Sequence, residues 1–385
     1  MFNSKRARVR VAFASASAVI YLIWSIARLG FDDTSRTSLQ PDQPLPQVQL
    51  PCRSLPGADE VLVILRSGST ELDDRLAIHL STSVRCFPNY LIFSDFEENY
   101  GGEHILDALA DVDPGIVKEN PDFVLYRRLQ KSGRMALTPS ELAGPPDTFA
   151  SRSGKTGNPG WKLDKWKFLP MVNKTLHERP DMKWYVFIEA DTFLLWSMLQ
   201  QYLDLLDPTE PIYAGSPTFV GGVLFAHGGS GFVVSQPALR MVVDHYATHK
   251  AEIEKFTDSH WAGDCVLGKA FADSGTPLTN AWPAMQGDYP GIVQYAGAIG
   301  SDEDTSRLWC GISVSYHHMS TAMIKELWTF EQDWAAKNDP VRKVFMRPNT
   351  PCTDYHITEY RFLTTQRHLH LICHASDDGP AQRLG

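Results

Sequence analysis

Trp184-Tyr185-Val186-Phe187-Ile188-Glu189-Ala190-Asp191-Thr192 is the stretch on which the reading of this chain turns. Its first five residues are aromatic or β-branched, and their lack of alternation predicts a central strand covered on both faces. Two acids follow at the strand end, one residue apart, so that in extended structure they project to the same side. Paired carboxylates in such a place are costly without a cation or hydrogen-bond donors. A hard divalent ion carrying a diphosphate resolves that cost, and oxygen ligands favour Mg2+ or Mn2+. Acid-x-acid is also the pattern of an exposed turn or a helix cap, and Asp191 is placed to cap a helix beginning near Phe193.

Upstream, Glu60–Leu65 (EVLVIL) is a second short strand-forming run. A helical segment beginning near Glu71, with Leu72, Leu76 and Leu80, leads to a further strand at Tyr90–Phe93. Strand, helix, strand with polar residues after each strand begins an α/β sheet. Ligands of such sheets lie beyond the carboxyl ends of the strands, which makes Arg66, Ser94 and Asp95 candidate nucleotide contacts. Ordinary loop polarity accounts for the same residues. Residues 131–160, rich in Gly, Pro, Ser and Thr, read as a long loop, and Trp161–Leu176 as a helix that Pro170 interrupts or kinks.

Downstream, Ile212–Ser216 and Val220–Phe225 read as further strands leading into Ala226-His227-Gly228-Gly229-Ser230-Gly231-Phe232. Its glycines let the backbone approach a bulky polar ligand, or simply make a tight turn. Trp261-Ala262-Gly263-Asp264-Cys265-Val266-Leu267-Gly268 places one acid, Asp264, in an otherwise uncharged stretch, as a helix N-cap, a catalytic group or both. Trp309–His318 ends a strand-like run in two histidines, of which His317 is the candidate third metal ligand.

At 385 residues the chain is long enough for one large domain or two ordinary ones. A composition 43% hydrophobic and 21% charged argues against disorder or a fibrous repeat, and no internal repeat is visible. A net charge of -9 without an extended Lys/Arg face gives no reason to expect a nucleic-acid partner. The local exception is the N-terminus. Lys5, Arg6, Arg8 and Arg10 precede the uncharged run Val11–Ala27, which Arg28 closes. As a helix that run spans about 25 Å, short of a hydrocarbon core of about 30 Å but suited to the thinner membranes of the early secretory pathway. The rival, a cleaved signal peptide, rests on Ala14, Ser15, Ala16 and Ser17, but these precede the place where a cleavage site belongs. The expected organisation is a cytoplasmic tail (1–10), a transmembrane signal anchor (11–28), a stem (29–54) and a luminal catalytic domain (55–385). Pro41, Pro44, Pro46 and Pro51 suit a flexible stem. Six cysteines without a CxxC pair argue against a metal ribbon, and Asn173-Lys174-Thr175 is a glycosylation sequon. Together they favour an oxidising, secretory compartment. Cys52–Cys86 and Cys352–Cys373 are the disulfide guesses, from proximity to adjacent strands and to a C-terminal hairpin.

FIEADTF, FAHGGSGFVVS, GDCVLG and WCGISVSYHH, in that order and with WKLDKWKFLP before them, resemble the Fringe-related β1,3-glycosyltransferases of glycosyltransferase family 31. The nearest branch in wording is the fungal members related to core 1 β1,3-galactosyltransferase, and the resemblance covers roughly residues 55–335. It implies a GT-A fold, a Rossmann-like mixed sheet flanked by helices that binds Mn2+ (or Mg2+) and a UDP-sugar at the strand ends. By the resemblance, Asp191 ligates the metal, Glu189 faces the nucleotide or a metal-bound water, and His317, in preference to His318, adds a metal contact. Asp264 is the general base, and Gly229, Ser230 and Gly231 line the donor sugar. Asp164 and Lys165 of the WKLDKWKFLP motif join Arg66, Ser94 and Asp95 on the donor side. The implied activity is inverting transfer of a hexose, foremost galactose, from a UDP-sugar to a glycan or glycoprotein. UDP-N-acetylglucosamine as donor and a non-catalytic glycan-binding member are the alternatives. The implied setting is a single-pass type II protein of the Golgi or ER membrane, with a homodimer left open. Two positions depart from the family's pattern: Glu189 stands where Asp is usual, and Gly263 replaces an acid before Asp264.

Overall fold

The computed structural model describes residues 50–143, 158–293 and 313–337, together with the backbone of two strands at Phe362–Thr364 and Arg367–Leu369. The expected anchor (11–28), most of the stem, and Cys310, Cys352 and Cys373 lie outside the described residues. Among the described residues no helix is long and apolar enough to cross a membrane.

The strands forming the main sheet are β1 (Val61–Arg66), β2 (Asn89–Ser94), β3 (Glu98–Tyr100), β4 (Glu103–Asp107) and β5 (Trp184–Glu189). After β6 (Phe193–Leu194), which lies apart, comes β7 (Tyr213–Gly215), which joins it. After the hairpin β8 (Pro217–Val220) and β9 (Val223–Ala226), the sheet is completed by β10 (Phe232–Ser235) and β11 (Leu278–Asn280). Its order is β11-β7-β10-β5-β1-β2-β4-β3. β1 pairs in parallel with both β5 and β2, whereas β10 runs antiparallel to β5, so the sheet is mixed.

The continuous apolar runs are explained by burial on both faces. Val61, Val63 and Leu65 of β1 join Trp184, Val186 and Ile188 of β5 in one core cluster, while Leu62, Ile64, Tyr185 and Phe187 belong to the other. A wide helical turn, Leu72–Leu76, continues as α1 (Ala77–Ser81); α2 (Pro114–Glu119) and α3 (Val124–Ser132) follow. The larger helices are α4 (Pro159–Glu178), α5 (Trp196–Leu203), α6 (Gln236–Ser259), α7 (Gly263–Asp273) and α8 (Thr321–Lys337). α4, α6 and α7 supply the second cluster, and α5 the first, so helices cover both faces of the sheet. This is the three-layer arrangement expected of a GT-A domain.

Several expectations change in detail. α4 runs unbroken through Pro170, because Phe168, Leu169, Met171 and Val172 are all buried and their packing outweighs one lost backbone hydrogen bond. Val220–Phe225 is a hairpin turn and not one strand: Gly221 and Gly222 take φ of 59° and 87°, which lets the chain reverse between β8 and β9. Asp191 caps no helix, since the short strand β6 follows it and α5 begins only at Trp196. Asn173 lies in the body of α4 and Thr175 is fully buried, so this sequon is not on an exposed loop. Cys52 and Cys86 form a disulfide, as expected, while Cys265 is a buried free thiol.

Candidate active site

The carboxyl ends of β1 and β5 open into a cavity of about 480 Å³. Arg66 and Glu189 end these strands as register partners, and the Arg66 guanidinium bridges Glu189 to Asp164 of α4 while lying 4.3 Å over the Phe168 ring. The longer arm of Glu189, the first departure from the family pattern, is thus engaged by Arg66.

Asp191 is brought to its partners by a two-residue ladder. β6 pairs antiparallel with β12 (Ser315–Tyr316), and the Met319 N–H donates to the Asp191 carbonyl at 2.9 Å. The residues just past β12, His317 and His318, therefore meet Asp191. The three side chains offer ligand atoms all within 4.8 Å of one another. His317 Nε2 is 3.3 Å from Asp191 Oδ1, and the two imidazoles stack with centroids 3.8 Å apart. His318 adopts left-handed backbone, φ 56°, a conformation uncommon for a non-glycine residue and concentrated at functional sites. The other Asp191 oxygen accepts from Arg75 Nη1 at 2.6 Å. Burial opposes charge on Asp191, but His317 and Arg75 outweigh it and hold the carboxyl well below the usual range. Burial likewise opposes protonation of His317, and Asp191 reverses the balance and raises it. One carboxylate and two imidazoles suit a divalent ion, and the ring nitrogens favour a first-row transition metal over Mg2+ or Ca2+.

The glycine loop is shaped to this group. A Cβ on Gly229 would lie 2.1 Å from the His317 ring, and Thr192 Oγ1 fixes the Gly229 carbonyl at 2.7 Å. Ser230 is fully buried, its carbonyl accepting from Ser315 Oγ and its hydroxyl facing His227 Nδ1 at 2.8 Å. Of Gly229, Ser230 and Gly231, only Gly229 reaches the cavity wall.

Asp264 stands near Glu189 across Gly228. It is the second residue of α7 and not the cap: Oδ2 accepts from the Gly228 N–H and Oδ1 from its neighbour Cys265, each at 2.9 Å. Burial raises its pKa. Gly263 before it is dictated by packing, because a Cβ there would stand 2.6 Å from Lys165 Cα and 2.5 Å from the Phe168 ring. The second departure from the family pattern is therefore a close helix crossing.

On α4, Trp161, Asp164, Lys167 and Phe168 share the cavity face, as three- and four-residue spacing requires. Lys165 does not: its amino group turns to Asp122 and the Asp258 carbonyl, each at 3.0 Å. Lys167 instead enters the site, donating to the Ser67 carbonyl at 2.8 Å. Ser94 and Asp95 are fully buried behind the cavity wall, where Asp95 accepts from the Ser69 N–H at 2.7 Å and from Ser94 Oγ. The sequence reading missed Arg75, Lys167, His227 and Glu71. The i, i+4 spacing of Arg75 and His79 was a usable signal, since His79 Nε2 meets the Ala190 carbonyl at 3.0 Å from the same helical segment. Five carboxylates line the cavity (Glu71, Asp164, Glu189, Asp191, Asp264) against three permanent cations (Arg66, Arg75, Lys167). The excess of carboxylates favours a diphosphate that enters together with a cation.

A mixed sheet flanked by helices, with acids and histidines gathered at the strand ends, fits a GT-A-type domain. Residues 165–347 match the Fringe-like family model. Over 160 residues the chain is 26% identical to a β-1,3-glucosyltransferase of Mus musculus and 27% identical to one of Homo sapiens, each match covering 40% of this chain. The matches span only 29% and 28% of those relatives. The Fringe-like match and the weaker likeness to these β-1,3-glucosyltransferases support a Fringe-like glycosyltransferase of glycosyltransferase family 31.

Proposed function

We propose that the protein transfers a hexose from a UDP-sugar to a glycan hydroxyl with inversion, forming a β1,3 linkage. The observation that carries this reading is the Asp191–His317–His318 group at one wall of the cavity with Asp264 at another. Asp191, His317 and His318 would hold Mn2+, and the bound ion would neutralise charge on the departing diphosphate. Arg75 and Lys167 add positive charge, and Arg66 holds Glu189 and Asp164 in place. Asp264 accepts the proton of the acceptor hydroxyl while that oxygen bonds to the anomeric carbon and the bond to UDP breaks on the opposite face. The two N–H groups that Asp264 accepts fix its orientation, and its raised pKa makes it a stronger base than a solvated carboxylate.

The motif wording supports galactose as the transferred hexose, while the relatives bear the name of glucosyltransferases. The Cys52–Cys86 disulfide supports an oxidising, secretory compartment, and the type II setting in the Golgi or ER membrane rests on the charge and hydropathy pattern of residues 1–28. The test is UDP release from UDP-galactose, UDP-glucose and UDP-N-acetylglucosamine, with and without Mn2+, over a panel of glycan acceptors. Mn2+-dependent turnover with one donor supports the reading. No turnover with any donor, together with no metal-dependent UDP binding, overturns it.

A further inference from the structure

Two tryptophans stand at the mouth of the cavity, Trp161 44% and Trp261 77% exposed. Trp261 is the more unusual. Large aromatic rings bury much of their surface in a folded chain, and an isolated exposed ring on a mobile loop needs no explanation. Trp261, however, is held from both sides. His260 before it packs its ring against Phe256 at 5.3 Å, and its Nδ1 accepts the Ala262 N–H at 3.1 Å. Ala262 after it is buried with Phe225 and Cys265. The turn that offers Trp261 to solvent also starts α7, so its ring is three residues from Asp264, on the same cavity. A rigidly presented, exposed indole beside a general base is suited to the C–H face of a pyranose ring, which aromatic faces hold without hydrogen bonds.

We infer that Trp261 is the acceptor platform: it stacks on the pyranose whose hydroxyl is presented to Asp264. This rests on the transferase reading above. Trp161 differs in position. It lies on the first turn of α4, which Asn158 caps and ties to Thr70, beside the loop that follows β1.

The experiment is calorimetric titration of the full chain, with Mn2+ and UDP present, by methyl hexopyranosides of gluco, galacto, N-acetylgalactosamine and fuco configuration. Wild type, Trp261→Ala, Trp261→Phe and Trp161→Ala are compared, and UDP binding is measured separately for each. The expected result is that wild type binds at least one glycoside, Trp261→Ala binds it about tenfold more weakly, and Trp261→Phe recovers most of the loss. UDP binding stays at the wild-type value in both Trp261 variants. Glycoside binding unchanged in Trp261→Ala, no glycoside bound by wild type, or loss of UDP binding in Trp261→Ala overturns the inference. Failure of the transferase reading is separately visible, because wild type would then show no Mn2+-dependent UDP binding.

Discussion

Replacing Gly263 by Ala tests the packing that explains why no acid precedes Asp264. The added Cβ would stand 2.6 Å from Lys165 Cα, 2.8 Å from the Lys165 carbonyl oxygen and 2.5 Å from Phe168 Cδ2. Phe168 can tilt, but the Lys165 contacts are backbone, so no rotamer relieves them. Reaching ordinary contact requires α7 and α4 to part by roughly 0.6–0.8 Å against the packed cluster of Phe168, Val266 and Leu267. Overpacking of this kind costs about 1–3 kcal/mol. Replacing glycine in a helix recovers at most about 1 kcal/mol, and less at the first position of α7. A net loss of about 1–2 kcal/mol lowers Tm by roughly 2–8 °C in a domain of this size class. Thermal unfolding followed by circular dichroism reads it directly. Gly263→Asp, which restores the family's acid, shows the same clash and adds a carboxylate beside Asp264, so it is at least as destabilised. A Gly263→Ala protein as stable as wild type, or more stable, refutes the reasoning.

Asp264→Asn lowers kcat by about a hundred- to ten-thousand-fold while sparing UDP binding, as a lost general base requires. Because burial raises the Asp264 pKa and the base must be unprotonated, the wild-type rate falls on the acid side at a pH above the usual carboxylate range. Glu331 is lifted to about 7 by burial from an ordinary 4.5, while accepting from the Ser197 N–H and hydroxyl at the start of α5. The folded chain therefore binds this proton more tightly, and stability is full below about pH 4.5 and is lost as pH rises through 7. Glu331→Gln removes that loss: its unfolding free energy from urea titration exceeds wild type at pH 8 by on the order of 1–3 kcal/mol and matches it near pH 4.5. Removing the Cys52–Cys86 disulfide, which joins residues 34 apart, costs about 3–4 kcal/mol by denaturant titration.

What the sequence disclosed was local. A strand buried on both faces leaves an unbroken apolar run, so β1 and β5 and the positions of Arg66, Glu189 and Asp191 at their ends were readable. What it concealed was pairing across distance. Arg75 meets Asp191 over a separation of 116 residues, and Arg66 meets Asp164 over 98, with no local pattern to mark either. The run ending in His317 and His318 read as strand-like, but its partner β6 is only two residues long, and nothing local marked the pairing that brings both histidines to Asp191. Lys165 and Lys167 lie too close together for composition to separate them; only the rotation of α4 decides that Lys167 enters the site. The glycines carried a reason the sequence could not show. Gly229, read as part of a ligand-approach loop or a tight turn, and Gly263, read as a departure from the family, stand where a Cβ would collide with His317 or with Lys165 and Phe168.

The central claim is that Asp191, His317 and His318 hold the ion that brings the diphosphate into an acid-rich cavity. Calorimetric titration of UDP into wild type and Asp191→Asn, each with Mn2+ and again with a chelator, tests it most directly. The account predicts that wild type binds UDP at least tenfold more tightly with Mn2+ than with chelator, and that Asp191→Asn loses this difference. UDP binding of equal strength with and without Mn2+ in wild type, or an undiminished metal effect in Asp191→Asn, would contradict it.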